Sequence, residues 1–181
     1  VANAIIDGTD AVMLSAETAT GRFPVEALKA MVRIATEIEN STIMDTGPHY
    51  DVPIPPSRDR VMATESAIAA AVIEAVRRMH SPLIFTFTSS GFTARVVSSF
   101  RPSVPILALT DSIRTYHQLA LVWGVIPVLC EPGLDFDDVL DFGRQIALDM
   151  GLAERGQRVV VTAGLPMHTA GTTNTMRVEE I

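Results

Sequence analysis

The chain is predicted to be α/β. A three-layer sandwich on a mostly parallel five-stranded sheet with an antiparallel last strand is preceded by one helix–strand–helix step of a second α/β structure. Three observations carry this. From residue 60 onward, short apolar runs of strand length alternate with amphipathic helical stretches, the pattern of parallel strands covered by helices. The last two runs are joined only by a glycine-containing loop, too short for a parallel crossover, so the final strand must run antiparallel. A proline-dense stretch, Pro53-Ile54-Pro55-Pro56-Ser57, divides the chain, because proline at that density continues neither a helix nor a ladder.

The elements follow in order. Val1, Ala4 and Ile5, then Asp7-Gly8, read as the last turns of a helix closing on a glycine C-cap. The chain thus starts inside a helix, with no Met and no N-cap, and is read as the interior of something longer. Ala11 to Leu14 has the length and flanks of a buried parallel strand. Gly21 and Pro24 open a helix with Leu28, Met31, Val32, Ala35 and Ile38 on one stripe. That step cannot close a core alone. Residues 1–44 form one expected region, 45–59 a Pro-rich linker and 60–181 the second domain. Within the latter, the pattern predicts helix Val61–Met79, strand Leu83–Phe87, helix Phe92–Phe100 and strand Ile106–Leu109. A helix capped by Asp111, strand Val125–Leu129, helix Phe136–Met150 ended by Gly151, strand Val159–Ala163 and edge strand Thr175–Glu179 complete it.

The 181 residues are 48% hydrophobic and 19% charged, a balance that describes a packed globular chain. A net charge of −7 argues against nucleic acid or an anionic membrane as the main partner. Any anionic ligand must then be held by local geometry. The single cysteine, Cys130, excludes an internal disulfide framework and suits a reducing, cytoplasmic setting. Following an apolar run, it reads as a packed, inert thiol. No signal peptide or membrane-spanning run is evident. His49, His80, His117 and His168 show no metal-ligand spacing.

The sharpest chemical signal is Thr88-Ser89-Ser90-Gly91-Phe92-Thr93, between a predicted strand and the helix it opens. A helix N-terminus presents unpaired N–H groups and partial positive charge, glycine lets an anion approach, and hydroxyls add donors. A phosphate monoester fits those groups, at the carboxyl end of a parallel strand where open α/β sheets bind ligands. A plain cap cluster is the alternative. A second loop, Gly164 to Thr173 (GLPMHTAGTT), joins the last two strands. Either it closes over the same ligand, since its strand should lie beside the first, or it is a simple connection. Arg95 and Arg114 are candidate charge partners or ordinary surface arginines. Trp123 reads as core or interface packing.

DGTDAVMLSAETATGRFPVEA resembles the last strand-and-helix step of the pyruvate kinase catalytic barrel, whose pattern is close to DGxDAVMLSxETAxGxxPxEA. The resemblance continues through TSSGFTARVVSSFRPSVPILALT to GTTNTMRV and matches only loosely from Ser41 to Asp59. It implies that residues 1–44 are a remnant of the (β/α)8 barrel, its last strand and helix, and that 60–181 are the C-terminal α/β regulatory domain. The intact protein would transfer phosphoryl from phosphoenolpyruvate to ADP, with Mg²⁺ and K⁺. The resemblance also implies an allosteric effector whose phosphate is held by Thr88, Ser89, Ser90, Gly91 and Thr93. An effector loop would contribute Gly164, His168, Thr169, Ala170 and Gly171.

It further implies that Ser15 and Glu17 lie at the edge of the active site, Glu17 otherwise serving as a hydrogen-bonded partner at a helix start. The metal-binding and catalytic residues of the family lie on earlier barrel strands, so this chain alone is expected to be inert, without bound metal. Relatives that bind fructose 1,6-bisphosphate hold its second phosphate with a Trp and an Arg. Here the matching segment, EPGLDFDDV (Glu131 to Val139), has neither, and Asp135, Asp137 and Asp138 would repel a phosphate. The expected effector is therefore a sugar monophosphate or an AMP-type nucleotide. Homo-oligomers are implied, with C-terminal domains meeting as a dimer within a tetramer, and the edge strand suits such pairing. The T-x-S-G-x-T run also resembles the phosphosugar loop of sugar isomerase (SIS) domains. A free-standing phosphosugar-binding module or a SIS-like isomerase, with His117 or His168 as its base, is the alternative.

Overall fold

The structure, a computed structural model, describes residues 1–41, 63–167 and 173–181. The chain divides into two compact units, Val1–Pro53 and Ile54–Ile181. The predicted linker, residues 45–59, lies outside the described residues.

In the first unit, α1 (Ala2–Ile6) ends as the sequence requires. Gly8 takes φ +84°, its N–H donates to the Ile5 carbonyl and the Thr9 N–H to that of Ala4, the paired bonds of a Schellman cap. The strand expected over Ala11–Leu14 is not formed. Those residues carry no ladder, and Met13 is 84% exposed. A strand exists only against a neighbour, and no strand is described in this unit. After α2 (Ala16–Ala19), α3 (Pro24–Glu39) begins with proline in its first turn. The predicted stripe is on α3, but none of its residues is buried; Leu28 and Val32 are about half exposed.

The second unit is a five-stranded sheet of order β3-β2-β1-β4-β5. Helix α4 (Thr64–Met79) leads into β1 (Ile84–Phe87), α5 (Phe92–Ser99), β2 (Ile106–Thr110), α6 (Ile113–Leu119) and β3 (Val125–Leu129). Helix α7 (Phe136–Asp149), β4 (Arg158–Ala163) and β5 (Thr175–Glu180) complete it. Strands β1 to β4 are parallel in register, Ile84 opposite both Ile106 and Val160. β5 pairs antiparallel with β4, Val160 opposite Val178.

Side chains alternate across the sheet and define its two packed faces. Ile84, Ile106 and Val160 meet Val72 and Val76 of α4 and Val97 of α5, while Ala108 meets Ala94 and Leu119 of α6. Phe85, Leu107, Leu109 and Val161 point the other way, onto Val139, Leu140 and Ala147 of α7. β1, β2 and most of β4 are buried on both faces, hence their unbroken apolar runs.

Two local expectations change. Ser112, not Asp111, caps α6, its hydroxyl accepting from the Thr115 N–H at 3.3 Å. Helix α7 ends at Asp149, with Gly151 at φ +66° closing a second Schellman cap. Trp123 is partly buried, with the Arg101 guanidinium 4.9 Å above its ring and its carbonyl accepting from Ser98 Oγ at 2.6 Å.

Candidate functional site

The strand order reverses direction at β1. From it the chain moves outward through β2 to β3, then returns to place β4 on β1's other side. The crevice at the carboxyl ends of the strands beside such a switch point is where open α/β sheets hold ligands. The loops after β1 and after β4 flank it, which places Thr88 to Thr93 next to the start of the Gly164 loop.

Gly91 occupies the N-cap of α5 at φ +80°, a left-handed conformation costly for side-chain-bearing residues. A Cβ there would lie 3.2 Å from Leu119 Cδ2 and 3.3 Å from Thr115 Cγ2. Glycine brings no side-chain acceptor, so α5 has no side-chain bond from its cap residue. The hydroxyl of exposed Ser90 accepts from the Phe92 N–H at a stretched 3.4 Å. Thr115 Oγ1 donates to the Ser89 carbonyl at 2.8 Å and pins the loop from α6. Thr88 is buried, its N–H bonded to the Leu109 carbonyl. These contacts leave a rigid turn whose helix N–H groups remain available.

Thr93 Oγ1 lies 2.8 Å from Thr173 Oγ1, both residues being buried. This joins the start of α5 to the entry of β5 across the switch point. Next to it, Asn174 clamps the base of the second loop: its Oδ1 accepts from the Leu165 N–H at 2.9 Å and its Nδ2 donates to the Leu165 carbonyl at 2.6 Å. Gly164, half-buried, follows β4 directly. His168, Thr169, Ala170 and Gly171 lie outside the described residues. Thr115 and Asn174 were missed as site residues, and Thr173 was read only as the end of the second loop. The polar run TTNT before an edge strand was the available signal, but Thr93, the partner of Thr173, lies 80 residues away in sequence.

A shallow cleft continues from this loop over the ends of β2 and β3. Its walls include Thr88, Ser89, Asp111, Cys130, Glu131 and Met167, and its enclosed part, about 20 Å³, admits one water. Burial first, and the Asp111 carboxylate second, push the Cys130 thiol above its usual range.

Of the acidic segment, Asp135 caps α7, accepting from the Asp138 N–H at 2.9 Å, and Asp137 lies 3.8 Å from Arg177. Arg95 and Arg114 are exposed and make no ion pair among the described residues. In the first unit, Glu17 Oε2 accepts from the Ser15 N–H at 3.0 Å. Backbone N–H groups, its own and that of Ser15, hold the Glu17 carboxyl below its usual range. Among the described residues no three His, Cys, Asp or Glu side chains converge into a metal-binding group. These described residues thus show no ligand set that fits Mg²⁺. Among them, no helix is long and apolar enough to cross a membrane.

Together these features define an open, mostly parallel α/β domain with its loops gathered at a topological switch point. The family model "Pyruvate kinase, alpha/beta domain" matches residues 66–179, and "Pyruvate kinase, barrel domain" matches 1–28. The chain belongs to the pyruvate kinase family. It is 41% identical, over 99% of its length, to a pyruvate kinase of Agrobacterium vitis, of which it covers 37%. It is 40% identical over its whole length to one of Thermotoga maritima, covering 37%, and 36% identical to one of Clostridium acetobutylicum, again covering 37%. The chain thus spans about a third of the length of these relatives.

Proposed function

We propose that this chain is the C-terminal part of a pyruvate kinase that transfers phosphoryl from phosphoenolpyruvate to ADP, giving pyruvate and ATP in glycolysis. Residues 1–44 belong to its catalytic barrel, 45–59 are the linker and 60–181 form its regulatory domain. Mg²⁺ and K⁺ are requirements of the intact enzyme, met by segments outside this chain, which is inert by itself. The regulatory domain binds a phosphorylated effector, a sugar monophosphate or an AMP-type nucleotide, and takes part in a homo-oligomer.

One observation supports the effector reading above the plain helix cap. The loop between β1 and α5 is rigidly held, yet glycine stands at the cap, so no side chain of the cap residue competes for the first-turn N–H groups. An arriving phosphate would accept from those groups and from the hydroxyls of Ser90 and Thr93. No observation favours the isomerase alternative: His117 is exposed near the end of α6 and His168 lies outside the described residues.

Titration calorimetry with AMP, ribose 5-phosphate, glucose 6-phosphate and fructose 1,6-bisphosphate tests this reading. Saturable binding of a monophosphate, abolished in the Ser90→Ala/Thr93→Ala double variant, is the expected result. Absence of binding by all four would leave the loop as a helix cap and overturn it.

A further inference from the structure

We draw no further inference here: the strongest candidate, the buried Thr93–Thr173 hydroxyl pair that joins the start of α5 to the entry of β5, belongs to the site already described.

Discussion

The two units are written in the same local grammar and differ in what covers them. Helix α3 and helix α7 are both amphipathic, begin with an acidic first turn and have defined ends. Helix α7 buries Val139, Leu140 and Ala147 against the sheet. Helix α3 buries nothing, and Phe23, Val25, Leu28 and Val32 are exposed. Amphipathicity specifies that a face wants cover; only tertiary neighbours stabilise the helix. The unit from Ile54 has those neighbours within itself.

Hydrogen exchange should show the widest separation. Amides of β1, buried on both faces, open only with global unfolding, whereas those of α3 open locally. Protection in β1 should exceed that in α3 by about a thousandfold or more, as expected for a difference of at least 4 kcal/mol in opening free energy. Equal protection would mean that α3 is covered in solution by another copy of the chain.

Substitution sharpens the contrast. Phe85→Ala removes a fully buried ring from between β2, β4 and α7, and should cost about 3–5 kcal/mol in urea unfolding. Trp123, the single tryptophan, lies in the same unit and reports its unfolding. Leu28→Ala, on the uncovered face of α3, should change stability by about 0.5 kcal/mol or less.

Hydroxyls within the folded unit divide in the same way. Thr173→Val deprives Thr93 of its buried partner and should cost about 1–3 kcal/mol. Thr86 also has a fully buried hydroxyl, in mid-strand, with no partner among the described residues. Valine has nearly its shape and suits a strand, so Thr86→Val should stabilise by about 1 kcal/mol. Destabilisation there would reveal an internal water bonded to the hydroxyl.

The sequence made the second unit legible because its strands are buried on both faces and its helices end on glycine signals. Apolar runs such as Leu83–Phe87 and stops such as Gly151 need no knowledge of partners. The antiparallel β5 followed from loop length alone. Ala11–Leu14 misled because an apolar run states a preference, while a strand also needs a neighbour's ladder. Asp111 reads as a cap because an acidic residue before a helix usually is one; the chain places Ser112 one residue closer, and its hydroxyl accepts from the Thr115 N–H instead. Within the site, TSSGFT stood out because its chemistry is contiguous. Thr173 and Thr115 did not, since each acts on a residue far along the chain through a contact that only the sheet order creates.

The smallest predicted effect concerns titration, and it again separates exposed from covered groups. Exposed Glu17 is held ionised by backbone N–H donors, so its titration by NMR should have a midpoint below the usual 4.5. Buried Cys130 is shifted the opposite way, above 9.0, by loss of solvation and then by the Asp111 charge. A raised thiol pKa means less thiolate at pH 8, so iodoacetamide should alkylate Cys130 several-fold more slowly than free cysteine. The linkage sign follows: the folded state holds its proton to higher pH than the unfolded chain. Stability from this group is therefore full below the unfolded thiol's pKa and is lost as pH rises through the folded one. Asp111→Asn should lower the alkylation midpoint only part of the way, because burial is the larger cause. A complete return to the free-cysteine profile would mean that the charge dominates, and that the cleft wall around Cys130 is wetter than its burial indicates.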